Sequence, residues 1–155
     1  MTIEDDIAFL ERILILRRLG APALRILAIG AEGYRVEQGQ VLFTAGDAAD
    51  GAYAVQQGSF TLRPGRGAEA DVIAGPGTLL GESALLAETL RPATATAREP
   101  STVLRISRAM FLKMLEGYPD AAHIMREQIV ARAQQAMTEM ADIRALLDTS
   151  QAPPR

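Results

Sequence analysis

Residues 81–96 place three useful side-chain chemistries in one short segment, Gly-Glu-Ser-Ala-Leu-Leu-Ala-Glu-Thr-Leu-Arg-Pro-Ala-Thr-Ala-Thr. A helix that starts after Gly81 would present backbone N–H groups, which attract an anion. The guanidinium of Arg91 can hold a phosphate by two hydrogen bonds. The carboxylate of Glu82 can accept a hydrogen bond from a sugar hydroxyl. The segment therefore predicts a site for a phosphorylated ribose.

The composition narrows the class of protein. The chain has 155 residues, of which 48% are apolar, so it is long and apolar enough for one domain with a core. A net charge of −3 argues against a protein that coats nucleic acid non-specifically, because such a protein needs a basic surface. The lack of cysteine excludes disulfides and thiol catalysis. The N-terminus is acidic rather than basic, and no apolar run approaches the roughly 20 residues that span a bilayer. We expect a cytoplasmic protein that does not bind membranes.

Helices are predicted at the N-terminal end. The apolar spacing favours one helix over residues 2–19 with Thr2 as its N-cap, and a second, starting at Pro22, over 22–29. About eight short β-like runs follow, bounded by glycine and aspartate, as in a β-sandwich or barrel. We therefore expect a helical segment at 1–30 and a β-barrel at 31–106, with no second domain.

The remainder of the chain is predicted to be helical over 107–148, with a disordered tail at 149–155. Ser107 is the expected N-cap of a first helix, and Pro119 starts a long one that reaches about Leu147. Residues spaced four and three apart form a heptad seam in it. This seam predicts a homodimer, although packing on the chain's own barrel is the alternative. Its members are Ile129, Ala133, Ala136, Met140, Ile143 and Leu147.

Taken in order, these elements resemble the cyclic nucleotide-binding domain of catabolite activator-type regulators, protein kinase A regulatory subunits and nucleotide-gated channels. The resemblance covers about residues 10–147. It depends on the glycine signatures at 39–43, 46–47 and 58, on Asp50 and residues 53–55, and on the phosphate cassette at 81–94. It implies a mainly β fold, namely a double-stranded β-helix (jelly-roll) barrel with N-terminal helices and a long C-terminal helix.

The resemblance also implies ligand contacts. Arg91 would pair with the cyclic phosphate, and Glu82 would accept from the ribose 2′-hydroxyl. Gly81 would keep the approach to the backbone open. The backbone N–H groups of Ser83 and Ala84 would face the sugar-phosphate, and Arg132 would stack on or bond the base. Leu79, Leu80 and Val72 would line an apolar wall near the base, and Pro92 and Ala93 would complete the site.

The cassette departs from the family pattern after its arginine. Pro92 stands where relatives have a small residue whose N–H assists the ligand, and proline has no N–H to donate. One lost charge-assisted hydrogen bond costs about 1.5–3 kcal/mol. The capping helix places Ala136 and Met137 where an activator has Thr and Ser, so a preference for adenine is not supported. A substitute acidic partner for Arg91 could come from Glu88.

Two functions remain open from the sequence. The first is a stand-alone, non-catalytic sensor of cAMP or cGMP, without a metal or cofactor, that acts through an unknown downstream protein and does not itself bind DNA. The second is a dimeric protein-interaction module of the same fold that no longer binds nucleotide. The lone histidine, His123, has no cysteine nearby, and no catalytic constellation is apparent.

Overall fold

The structure is a computed structural model that describes residues 2–65, 70–128, 130, 131, 134, 135 and 138. Ten strands are present in this part of the chain. They are β1 (Glu32–Val36), β2 (Val41–Phe43), β3 (Ala48–Ala49), β4 (Gly51–Gln57), β5 (Phe60–Pro64), β6 (Val72–Ala74), β7 (Leu79–Leu80), β8 (Thr89–Leu90), β9 (Ala93–Ala97) and β10 (Ser101–Ser107).

The strands form two four-stranded antiparallel sheets and one short pair. The first sheet has the order β1-β10-β4-β7, the second has the order β2-β9-β5-β6, and β3 pairs with β8. Strands β4 and β10 approach closely at Gly51, where an added Cβ would lie 2.2 Å from the carbonyl oxygen of Ile106. The predicted mainly β fold with flanking helices is confirmed. The strands named in the sequence prediction included none of the two-residue strands β3, β7 and β8.

A small apolar core fills the space between the sheets. Alternate strand residues point inward, as the two-residue period of a strand requires. The fully buried members include Val55, Phe60, Ala95 and Val103. Phe43, Tyr53 and Leu62 pack against this cluster while remaining partly exposed. These three side chains therefore stand at the open edge of the barrel interior.

Three helices precede the barrel: α1 (Ile3–Glu11), α2 (Leu14–Arg17) and α3 (Ala21–Gly30). Thr2 caps α1 as predicted, because its side chain accepts from the N–H of Asp5 and the Asp5 carboxylate accepts from the N–H of Thr2. The prediction of one helix over residues 2–19 was wrong. The helix is interrupted at Ile13, whose backbone is extended (φ −82°, ψ 117°). The side chain of Ile13 is 3% exposed, so it is buried in the core at this interruption.

Two helices follow the barrel. Helix α4 (Arg108–Gly117) starts at the predicted N-cap, where the Ser107 side chain accepts from the N–H of Met110. A further helix, α5, is described continuously over 119–128. Its buried residues Ala121, Ala122 and Met125 join the larger helical core with α1 and α3. The seam residues from Ile129 onward, and the tail, lie outside the described residues.

Candidate ligand-binding site

Arg91 lies between β8 and β9, and its backbone is fixed by the turn that connects β2 and β3. Its N–H donates to the carbonyl of Asp47 and its carbonyl accepts from the N–H of Gly46, both at 2.8 Å. The residue is only 5% exposed. A buried arginine is unusual, because removing a charge from water is costly unless it is paired.

Two aromatic rings hold the guanidinium of Arg91. Its central carbon lies 4.5 Å from the ring centre of Phe43 and 5.6 Å from that of Tyr53. The two rings are themselves stacked, with centres 5.9 Å apart. The negative faces of the rings attract the cation and compensate part of its lost hydration.

One nitrogen of this guanidinium, Nη1, is buried and has no hydrogen-bond partner among the described residues. Burial lowers the pKa of Arg91 from its ordinary value, with the nearby acids Asp50 and Asp47 acting in the opposite direction. An arginine stays protonated in proteins even so. Arg91 is therefore a buried cation with a donor that the surrounding protein leaves unused.

Gly81 makes the position of Arg91 possible. Its φ of +78° lies in the left-handed region, and a Cβ built on it would lie 2.2 Å from Arg91 Nη1. Any other residue at this position would be strained and would also displace the guanidinium. The structure thus brings together Gly81 and Arg91, which are ten residues apart in the sequence.

A short 3₁₀ helix, Glu82–Leu85, follows Gly81. The N–H of Ala84 was expected to face the ligand. It donates instead to the carbonyl of Gly81 at 3.1 Å, so it is engaged within the turn. Arg108, the first residue of α4, holds this helix in place by side-chain hydrogen bonds. Its Nη1 lies within 3.0–3.2 Å of three carbonyl oxygens, those of Ala49, Ala84 and Ala87.

A small cavity of about 150 Å³ opens over the Arg91 side chain. Of the predicted residues, six line it, and Phe43, Leu62 and Thr78 complete the lining. Val72 does not line it, although it lies opposite Leu62 on the neighbouring strand and shares that face of the sheet. The six predicted residues are Leu79, Leu80, Gly81, Arg91, Pro92 and Ala93.

A wider cleft of about 720 Å³ adjoins the small cavity and shares Thr78, Leu79, Gly81 and Pro92 with it. Glu82 and Ser83 line this cleft on the cassette side. The opposite side is formed by residues 12–15 together with Phe9. The N-terminal helices thus contribute a wall to the site, which the sequence analysis did not predict.

Of two expectations about charged residues, the structure bears on the one for Glu88. Glu88 is exposed, whereas Arg91 is buried with an unpartnered Nη1, so the suggested pairing of Arg91 with Glu88 was wrong at that nitrogen. Arg132, expected at the base, lies outside the described residues. Pro92 is exposed, and its carbonyl accepts from the N–H of Gly65 at 3.0 Å.

Sequence reasoning gave no ligand role to Phe43, Tyr53, Leu62 or Thr78. Phe43 and Tyr53 entered the sequence-based prediction only as parts of the family signatures at 39–43 and 53–55. The available signal was that aromatic residues are few, at 5% of the chain, and that two of them fall on strands of a barrel that must hold a cation. Their stacking under Arg91 depends on the register of separate sheets, which the sequence does not show.

Neither a metal site nor a membrane-spanning helix is found in the part of the chain that the structure describes. No group of three or more His, Cys, Asp or Glu side chains there could hold a metal ion. His123 lies on α5, where its Nε2 is 3.1 Å from a carboxylate oxygen of Glu127. None of the described helices is long and apolar enough to cross a membrane.

Comparison with known proteins gives a consistent result. The family model described as cyclic nucleotide-binding domain matches residues 34–118. The Cyclic AMP receptor protein of Thermus thermophilus is 33% identical over 106 residues, which are 66% of this chain and 49% of that protein. The chain therefore spans about half the length of this relative.

Solved structures show the same fold. A cyclic nucleotide-binding-like protein from Brucella abortus has 40% sequence identity and a TM-score of 0.63, with 72% of this chain and 98% of that chain covered. The Catabolite Activator Protein of Thermus thermophilus has 26% identity and a TM-score of 0.70, with 84% and 62% covered.

Proposed function

This chain belongs to the cyclic nucleotide-binding domain family, and we propose that it is a regulatory module that binds a cyclic nucleotide reversibly and performs no chemistry on it. The observation that supports this most directly is the buried guanidinium of Arg91, with one nitrogen unpartnered among the described residues. A binding function needs such a cation to be positioned before the anion arrives.

The energetics favour an anion at this position. A buried donor without a partner costs about 1–3 kcal/mol, and more when it is charged. A phosphate oxygen at Arg91 Nη1 would remove that cost and add a charge-assisted hydrogen bond. The aromatic rings of Phe43 and Tyr53 cannot supply that bond, because they attract the cation through their faces alone.

The remaining parts of the ligand would lie along the cassette. We assign Glu82 to the ribose 2′-hydroxyl, because Glu82 lines the wider cleft next to Gly81. Leu79, Leu80 and Ala93 would provide apolar contacts in the small cavity. A movement of the cassette on binding would be passed to α4, because Arg108 connects the two.

Calorimetric titration with cAMP and with cGMP tests this proposal. Arg91→Ala should weaken binding of either nucleotide by roughly 10–150-fold, from the loss of a charge-assisted hydrogen bond. Arg98→Ala is the matched control, because Arg98 is exposed on the loop after β9 and lines neither of the two cavities. Its affinity should equal that of the parent.

The same titration separates this function from its alternative. Pro92 offers no N–H to a ligand, which favours an interaction module that has lost nucleotide binding. If neither nucleotide binds at millimolar concentration, the sensor function is wrong and the alternative stands. If Arg91→Ala binds as well as the parent, the assignment of the site is wrong even though the function holds.

We further propose that the chain forms a homodimer through its C-terminal helix. The support is the heptad spacing from Ile129 to Leu147 in the sequence, together with an α5 whose start is already anchored on its own domain by Met125. Light scattering of the Met140→Glu variant tests this, since a charge in the seam should yield a monomer. An unchanged mass would count against the dimer.

A further inference from the structure

Tyr53 stands in the middle of a row of side chains that crosses the sheet β1-β10-β4-β7. It lies on β4, directly opposite Arg105 of β10 on one side and Leu80 of β7 on the other. Leu80 lines the small cavity and is followed in the chain by Gly81. The Tyr53 ring also faces the guanidinium of Arg91, at 5.6 Å. The direction in which this ring points therefore affects where the buried cation lies.

The Arg105 side chain contacts Tyr53 at its polar end. Directly opposite residues of two antiparallel strands have Cβ atoms about 4.5–5.5 Å apart, so their side chains share one face of the sheet. The Tyr53 hydroxyl and the Arg105 guanidinium are hydrogen-bond partners on that face. Because an arginine only donates, the phenolic oxygen is the acceptor. This hydrogen bond fixes the direction of the Tyr53 side chain.

The Asp50 carboxylate fixes Arg105 in turn. One of its oxygens lies 2.6 Å from Nη2 of Arg105, and the Arg105 side chain is only 22% exposed. Burial alone would lower the pKa of Arg105, but Asp50 and Tyr53 together raise it above its ordinary value. Arg105 is therefore held by two side chains that lie on different strands or loops.

Arg105 acts near the ligand site without belonging to it. It lines neither the small cavity nor the wider cleft, so it would not touch a nucleotide there. Its charge is balanced by Asp50 at 2.6 Å, and an ion pair has no net charge to offer a phosphate. Any effect of Arg105 on the ligand must therefore pass through the side chain that it shares with the site, which is Tyr53.

We propose that Arg105 is a positioning residue of the nucleotide site, which holds Tyr53 so that its ring supports the guanidinium of Arg91; the inference rests on the proposed function. No hydrogen bond to a described residue fixes Nη1 of Arg91, so the position of the guanidinium depends on the rings of Phe43 and Tyr53. Phe43 has no polar group by which it could be held. Tyr53 has one, and Arg105 bonds to it.

A double-mutant cycle on the whole chain tests this role, with cAMP and cGMP as ligands in calorimetry. Tyr53→Phe removes the hydroxyl and keeps the ring, and Arg105→Met removes the donor. Each should weaken binding of either nucleotide about two- to fivefold, the value of one weakened cation–π contact. The double variant should bind no more weakly than the weaker single variant, because both changes break the same contact. Arg105→Lys, which keeps a donor and the charge, should bind nearly as tightly as the parent.

Arg35→Met is the matched control, because it removes the same charge from the neighbouring strand, where Arg35 is exposed and lies opposite Thr102. It should bind as the parent does, and a loss equal to that of Arg105→Met would overturn the positioning role. Additive losses in the double variant would overturn it as well. Tyr53→Phe and Arg105→Lys are conservative changes, so the test does not depend on the folding of Arg105→Met.

The same titrations separate this role from the function on which it rests. If Arg91→Ala weakens binding while Tyr53→Phe binds as tightly as the parent, the positioning role is wrong and the proposed function stands. A parent that binds neither nucleotide overturns the proposed function, and the positioning role with it.

Discussion

The contact between Gly81 and Arg91 gives the most decisive perturbation of this site. In Gly81→Ala, the new Cβ would lie 2.2 Å from Arg91 Nη1, which is less than any real contact. Because the atom it meets is the end of a flexible side chain, the guanidinium can move away and the barrel need not open. A loss of ligand binding is therefore expected in addition to a loss of stability.

The size of each effect follows from the structure. Alanine at φ +78° costs about 1–2 kcal/mol of folding free energy, since the left-handed region crowds its Cβ. Displacing the guanidinium from Phe43 and Tyr53 costs roughly another 0.5–1 kcal/mol. Losing its hydrogen bond to the phosphate costs about 1.5–3 kcal/mol of binding free energy, or roughly 10–150-fold in affinity.

Gly39→Ala is the matched control. Gly39 also has a positive φ, +82°, but an added Cβ there meets nothing within 4 Å. Urea denaturation should show a loss of about 1–2 kcal/mol in Gly39→Ala and roughly 0.5–1 kcal/mol more in Gly81→Ala, and calorimetry should show weakened nucleotide binding only in Gly81→Ala. If Gly81→Ala binds as tightly as the parent, or if Gly39→Ala weakens binding to the same extent, the proposed role of the Gly81–Arg91 contact is wrong.

Three further perturbations probe the surroundings of the site. Arg108→Ala should lower the unfolding free energy by about 1–3 kcal/mol in urea denaturation, because it leaves carbonyl oxygens of the cassette unpaired. Pro92→Ala restores a backbone N–H and should tighten nucleotide binding by roughly tenfold in calorimetry; unchanged affinity would mean that the ligand does not use this position. The pKa of Asp5 is lowered by its hydrogen bonds with Thr2, so the stabilisation it gives is present above its ordinary pKa and is lost as the pH falls through the folded value. Urea denaturation should therefore show the parent more stable than Asp5→Asn at pH near 7, with the difference shrinking in acid; a constant difference would refute the cap.

The fold was predictable because the residues that start and end its helices and strands act locally. Thr2, Pro22 and Ser107 mark helix starts through capping chemistry that acts within four residues. The strands are separated by glycines, and Gly39, Gly46 and Gly58 all adopt positive φ in the structure. Signals of this kind depend on the conformation of one residue and can be recognised without knowing the tertiary structure.

The break at Ile13 was not predictable in the same way. The apolar spacing over residues 2–19 is satisfied by one continuous helix, and no proline or glycine interrupts it. In the structure, Leu10, Ile13 and Leu16 are buried in the same core cluster on both sides of the break. The break is therefore part of the tertiary packing, and it places residues 12–15 on a wall of the wider cleft.

The position of Arg91 explains how the cassette tolerates Pro92. Both backbone groups of Arg91 are already paired, with Asp47 and Gly46, so its conformation does not depend on the residue that follows. Proline favours an extended residue before it, and these hydrogen bonds hold Arg91 in the short connection between two strands. The carbonyl of Pro92 is used by Gly65, so the substitution leaves no buried backbone group unsatisfied. The proline therefore removes a backbone N–H that could have donated to the ligand, and it leaves the position of the Arg91 guanidinium unchanged. A site built in this way can lose affinity while it keeps its shape.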